Sequence, residues 1–251
     1  MTSAIPGTPR NPNDAVDVVE MLFSRQPSFH GEACAGSANY AITRDVCQWI
    51  SDTVPCGART LETGCGYSTV SFACRSGSHA VYSPFAGEHD LIRRWCREQG
   101  ITTDHVAFVA QPSQQALPSR QRSPLDFVLI DGDHAFPAPF IDWYYLAEDV
   151  VPGGILLVDD THLTTGRILR DFLIAECHRW RFERELGKTA VFRRVAPAPV
   201  AIGMSWEHQP FVKDLRLHPP DLPGKVRRIC RMVAASVLPD AIKNPLRKLF
   251  G

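Results

Sequence analysis

The sequence predicts an α/β fold built on a doubly wound, mostly parallel sheet with helices on both faces. Three observations predict it. From Arg59 onward, short apolar runs alternate with segments of helical periodicity, the pattern of a sheet covered on both sides. The first of these runs ends in a tight glycine turn, Gly64-Cys65-Gly66, which lets the backbone approach a ligand with no Cβ in the way. The last two runs stand so close around Gly187-Lys188 that they must pair as an antiparallel hairpin. A chain of 251 residues, 44% hydrophobic and 22% charged, accommodates one such domain with a well-buried core and terminal additions.

The elements follow in order. Residues 1–13 are rich in Pro, Gly, Ser and Thr and are expected to be poorly ordered. The main domain is expected to span 14–195. Its first helix is read from Val16, Val19, Leu22 and Phe23, with Asp14 as the cap. The stretch from Gly31 to Asn39 reads as a loop. A second helix runs from Thr43 or Asp45 through Trp49 and Ile50 to the region of Pro55 and Gly57. The expected strands are Arg59 to Glu62, His79 to Tyr82, Val106 to Val109, Asp126 to Ile130 and Ile155 to Val158. Between the last two, Phe140, Trp143, Tyr144 and Ala147 read as the apolar stripe of a helix. A helix built on Ile168, Leu169, Phe172 and Leu173 then leads to the hairpin strands, Trp180 to Leu186 and Thr189 to Val195. Residues 196–251 read as a Pro-rich linker followed by an amphipathic helix. Its apolar face is Val226, Ile229, Cys230, Val233 and Val237, opposite Arg227, Arg228 and Arg231. That helix is expected to pack on the domain, with a membrane-surface helix or a homo-oligomer or partner contact as the alternatives.

Charge and composition narrow the function classes. Lys plus Arg and Asp plus Glu are 27 each, so no net field draws the protein to nucleic acid. The balance is uneven, since the region after Phe211 holds about three times as many basic as acidic residues. No apolar run reaches the length of a membrane span, and the first residues lack a basic segment followed by an apolar stretch, so the expected compartment is the cytoplasm. The eight cysteines contain no C-x-x-C pair, which argues against a zinc ribbon or a thioredoxin-type site.

Two blocks carry the chemistry. The first is Leu61-Glu62-Thr63-Gly64-Cys65-Gly66-Tyr67-Ser68-Thr69, an acid at a strand end followed by glycines and a helix start. A nicotinamide site would want a third glycine at Thr69 and an acid some 20 residues on, and neither is read here. The second is Asp126-Phe127-Val128-Leu129-Ile130-Asp131-Gly132-Asp133-His134, paired with Gly153-Gly154-Ile155-Leu156-Leu157-Val158-Asp159-Asp160. Both are buried-strand patterns ending in acids, and ligands of open α/β sheets bind at that edge. Three carboxylates brought together repel one another unless a cation or protons intervene, and oxygen donors of this kind suit Mg²⁺.

These blocks resemble the class I S-adenosylmethionine-dependent methyltransferases. The stretch from about Arg59 to Arg194 is similar to the methyltransferase type 24 family, through LETGCGYSTV, DFVLIDGDHAF and GGILLVDDT. It is also similar to the metal-dependent O-methyltransferases of the catechol and macrocin types. The resemblance implies a Rossmann-like seven-stranded sheet of order 3-2-1-4-5-7-6 with strand 7 antiparallel. It implies that Glu62, Gly64, Gly66 and Asp131 contact S-adenosylmethionine, with Ser68 a helix cap nearby. It further implies Asp131, Asp159 and Asp160 as ligands of a divalent cation and His134 as a catalytic base. The implied acceptor is a hydroxyl group on a small molecule or a sugar. The sequence departs from the family at the end of the second strand, where an acid usually holds the ribose and this chain reads Tyr82-Ser83-Pro84. Ser83 and Glu88 are the alternatives there. Two other functional readings stay open at this point, a metal-dependent hydrolase using the Asp/His cluster and a non-catalytic Rossmann-like binding protein.

Overall fold

In the computed structural model, residues 17–30, 42–195 and 209–213 are described. Helix α1, Val18–Arg25, is capped by Asp17, whose Oδ1 accepts from the Glu20 N–H at 3.1 Å, so the start lies three residues beyond the expected Asp14. Helix α2 spans Arg44–Thr53 behind Thr43. The sheet then builds as β1 (Arg59–Thr63), α3 (Tyr67–Arg75), β2 (Ser78–Tyr82), α4 (Ala86–Glu98), β3 (Val106–Val109), α5 (Ser113–Ala116) and β4 (Leu125–Ile130). It continues through α6 (Ala138–Leu146), β5 (Val150–Val158), α7 (Thr164–Ala175), β6 (Trp180–Leu186) and β7 (Thr189–Arg194).

The seven strands lie in the order β3-β2-β1-β4-β5-β7-β6. The first five are parallel, and β7 is antiparallel to both β5 and β6, as expected. Two-sided burial explains the composition of the central strands. Val128, Leu129, Leu156 and Leu157 are all fully buried, with Val128 beside Leu156 and Leu129 beside Leu157 on alternate faces. On one face Phe127, Leu129, Ile155, Leu157 and Val191 join a core with Val46 and Ile50 of α2 and Val70 and Phe72 of α3. Helices α6 and α7 pack against β4, β5 and β6, and touch each other through Trp143 and Phe172 at 4.8 Å between ring centroids.

Two expectations shift. Strand β5 begins at Val150, five residues before the apolar run, because Val150 pairs with Leu125 and Ile155 with Phe127, and residues 151–154 bulge between them with Gly153 at φ +84°. In α6 the buried side is Ala138, Pro139, Asp142 and Leu146, while Tyr144 is 47% exposed. The expected stripe is therefore rotated, and an aspartate faces inward.

The chain divides into two units, 1–205 and 206–251. The whole sheet belongs to the first. In the second, the described residues include a short helix α8, Pro210–Lys213. The N-terminal tail, the loop from Gly31 to Asn39, the 195/196 boundary region and the helix expected around Val226 to Val237 lie outside the described residues. Among the described residues no helix is long and apolar enough to cross a membrane.

Candidate active site

The loop after β1 packs onto the loop after β4. Gly64 has φ +86°, and a Cβ there would lie 2.1 Å from the Asp131 carbonyl oxygen, so glycine at this position is demanded by the protein's own packing. Gly66 differs. A Cβ there would meet only His30 Nε2, at 3.8 Å, among the described residues. Gly66 is also the residue before α3, and its N–H donates to Thr69 Oγ1 at 2.9 Å. Thr69 in turn donates to Glu62 Oε1. Ser68, expected as a cap, is the second residue of α3 and is buried.

Glu62 lies one layer beneath this surface. Its side chain is wholly buried, with His79 Nε2 3.1 Å from Oε1, and Oε2 has no hydrogen-bond partner among the described residues. His79 is held from its other side by Thr60 Oγ1 at 2.8 Å and stacks on Phe72. Glu62 thus fixes Thr69 and the start of α3 through Oε1.

At the end of β2, Ser83 is buried and its hydroxyl faces Glu88 Oε2 at 3.5 Å. Glu88, in the first turn of α4, also takes Cys65 Sγ at 3.3 Å on the same oxygen and His30 Nδ1 at 3.1 Å on the other. Burial pushes its carboxyl up, but the hydrogen bonds from His30 and Cys65 outweigh it and hold the group below the usual glutamate range.

The acids gather as the strand pattern requires. Ile130 and Val158 are partners across β4 and β5, and the Asp159 N–H donates to the Ile130 carbonyl at 3.0 Å, so Asp131, Asp159 and Asp160 leave the sheet at one level. Asp160 has φ +51°, and Gly166 of α7 packs so tightly that a Cβ would lie 2.6 Å from the Asp160 carbonyl oxygen. Donor atoms of Asp131, His134 and Asp160 all fall within 4.8 Å of one another. His134 Nε2 is 2.9 Å from Asp160 Oδ2. Asp159 is engaged from the hairpin instead, by the Thr189 hydroxyl and by Lys188 Nζ at 3.3 Å. Asp133 forms a turn through the Ala135 N–H, and His162 is an exposed neighbour 3.6 Å from Asp160.

Lys188, which sequence reasoning did not single out, joins this cluster. Its Nζ lies 2.6 Å from Asp160 Oδ1, at the tip of the β6–β7 hairpin where Gly187 supplies φ +60°. The Lys188 carbonyl anchors the tip by accepting from both the N–H and the hydroxyl of Thr161. Electrostatics follow the crowding. Burial, then the charges of Asp159 and Asp160, push the Asp131 carboxyl well above its usual range. For Asp160 burial works in the same direction, but hydrogen bonds from His134 and Lys188 overcome it and hold the carboxyl far below the usual range. The Asp160 hydrogen bond raises the His134 imidazole.

Comparison with known proteins places this geometry. Residues 61–161 match the family described as a methyltransferase domain. No curated protein matches the chain. Among solved structures, a methyltransferase from Podospora anserina bound to S-adenosylhomocysteine aligns with 78% of this chain and 100% of its own, at 15% identity and TM-score 0.54. An O-methyltransferase from Bacillus cereus in complex with S-adenosylhomocysteine aligns with 72% of this chain and 91% of its own, at 21% identity and TM-score 0.51. The O-methyltransferase of tomaymycin synthesis from Streptomyces achromogenes, in complex with S-adenosylmethionine, covers the same shares at 15% identity and TM-score 0.54. At such identities the likeness is one of fold. The resemblance read from the glycine and aspartate blocks is borne out over residues 61–161, which match the methyltransferase-domain family.

Proposed function

We propose that the protein transfers a methyl group from S-adenosylmethionine to a hydroxyl oxygen of a small molecule or sugar, with a divalent cation at the aspartate cluster. The observation that carries the reading is convergence. Gly64 rests on the Asp131 carbonyl, so the glycine loop and the acids after β4 and β5 share one edge of the sheet. The O-methyltransferases of like fold add support for the acceptor class.

The residues fit both groups. A Cβ at Gly66 would meet only His30 among the described residues, and three carboxylates facing one lysine and one imidazole leave negative charge for a hard cation to neutralise. When bound, S-adenosylmethionine supplies an activated methyl group, and the cation lowers the pKa of an acceptor hydroxyl held against it. The protein's task is alignment. Asp131, Asp159 and Asp160 would hold the cation, the last two only as Lys188 yields its place. His134, 39% exposed at its side chain, is positioned to accept the acceptor's proton, and Asp160 stabilises the imidazolium that results.

Calorimetry with S-adenosylhomocysteine, followed by turnover assays with and without chelator, tests the reading. Binding of the nucleoside by the wild type is expected, with turnover lost in chelator and restored by Mg²⁺. His134→Ala is expected to slow turnover by about 10²- to 10⁴-fold with cofactor affinity unchanged. Full activity in chelator would remove the cation from the reaction, and unimpaired His134→Ala turnover would remove the base.

A further inference from the structure

We propose that Glu88 is the carboxylate that holds the cofactor's ribose, delivered from α4 in place of an acid at the end of β2, and that His30 orients it. The inference rests on the methyltransferase reading above.

Glu88 is the third residue of α4, where a glutamate commonly turns back to the helix's own free N–H groups. Here the start of α4 receives no side-chain cap, and both Glu88 oxygens point elsewhere. Oε2 meets Cys65 Sγ at 3.3 Å and Ser83 Oγ at 3.5 Å, and Oε1 meets His30 Nδ1 at 3.1 Å. Cys65 stands between the two loop glycines, and Ser83 is the first residue past β2. Since Thr63 and Tyr82 are partners across β1 and β2, the carboxylate bridges the tips of two adjacent strands. That is where a nucleoside lying on the glycine loop places its sugar. Dinucleotide folds use an acid about 20 residues beyond the glycines for this purpose; no acid stands at the strand end at that spacing here, and Glu88, 22 residues after Gly66, stands in the first turn of α4 instead. The strand end lacks the acid, and the helix turn supplies it.

The chemistry of the partners agrees. A thiol and a hydroxyl at 3.3 and 3.5 Å are weak donors that a vicinal diol can replace with two stronger O–H bonds to an ionised carboxylate. With its side chain 13% exposed, Glu88 keeps access to solvent while remaining largely shielded from it. His30 reaches from Glu88 toward the loop, its Nε2 3.8 Å from the position a Gly66 Cβ would take. The imidazole fixes Oε1 and borders the glycine loop.

The test is calorimetry on the full chain with two probes, S-adenosylhomocysteine and its analogue lacking both ribose hydroxyls. Glu88→Gln is expected to weaken S-adenosylhomocysteine by about 10- to 100-fold, the scale of hydrogen bonds to a charged group, and to leave the analogue's affinity unchanged. Wild type should lose a comparable factor when the hydroxyls are removed. His30→Ala should weaken S-adenosylhomocysteine by less, with no further loss when added to Glu88→Gln, a non-additivity that general destabilisation would not produce. Equal loss for both probes, or no loss, overturns the assignment of Glu88. Should Glu88→Gln fail to fold, wild type binding the two probes equally overturns it. Wild type that binds neither probe overturns the methyltransferase reading on which the assignment stands.

Discussion

At the residue scale Gly64 and Gly66, two residues apart, differ in what a side chain would meet. Gly64 is fixed by its left-handed backbone and by the Asp131 carbonyl, so any side chain there would force the two loops apart. At Gly66 a Cβ would meet only His30 among the described residues. Gly66→Val is therefore expected to leave the thermal midpoint nearly unchanged while abolishing S-adenosylhomocysteine binding, checked by calorimetry beside a melting curve. Undiminished binding by a folded variant would move the cofactor away from this loop. Lys188 makes the complementary case on the acidic side. An ammonium 2.6 Å from Asp160 and 3.3 Å from Asp159 occupies carboxylate oxygens that a divalent cation would use. Removing it deletes a competitor, so Lys188→Met is expected to tighten Mn²⁺ on the order of tenfold. Titration followed by electron paramagnetic resonance would show it, and weaker Mn²⁺ binding by the variant would mean that Lys188 organises the acids for the metal.

At the scale of elements, α6 shows how a periodicity can be right and its phase wrong. Phe140, Trp143 and Tyr144 supply the apolar period, yet the helix turns Asp142 into the interior and leaves Tyr144 half exposed. The Asp142 side chain is buried near Thr63 and Gly132, and neither oxygen makes a hydrogen bond among the described residues. Burial pushes its carboxyl up to about 6, against the opposing pull of Ser113 and Thr63. The folded protein then holds this proton more tightly than the unfolded chain, so the contribution to stability falls as pH rises from about 4 through about 6. The loss amounts to about 3 kcal/mol once both states are ionised. Asp142→Asn is expected to raise the urea midpoint more at pH 8 than at pH 4.5, and an equal shift at both values would show that ionisation is not the cause. Other elements divide along the same physical line. Strands β1 to β4 were legible because burial on both faces writes a continuous apolar run. The start of β5 was not, because Gly153 and Gly154 read as a turn when the neighbouring strand is unseen. Asp131 and Asp160 were legible as strand-end acids. Glu88 was legible only as an alternative to Ser83, and Lys188 was not legible at all, because a hairpin tip reaching a distant loop is a tertiary fact with no local pattern.

For the whole molecule, the order β3-β2-β1-β4-β5-β7-β6 puts β1 and β4 side by side at the centre and brings every candidate residue to one edge. The glycine loop follows β1, Ser83 follows β2, Asp131 and His134 follow β4, and Asp159 and Asp160 follow β5. Lys188 reaches that edge only because β7 runs antiparallel, which brings the hairpin tip beside the ends of parallel strands. The sheet that organises this edge is complete at Arg194, inside the unit that ends at residue 205. All of the candidate residues lie in that unit, and so do α1 to α3, which bury the core face of β4 and β5. A protein ending at residue 205 is therefore expected to melt cooperatively and to bind S-adenosylhomocysteine within about twofold of the full chain, a difference below roughly 0.5 kcal/mol. Calorimetry and thermal unfolding of the shortened chain check this. A chain of 205 residues that folds but has lost cofactor affinity would assign the 206–251 unit a part in the site, and one that fails to fold would make that unit part of the domain's own core.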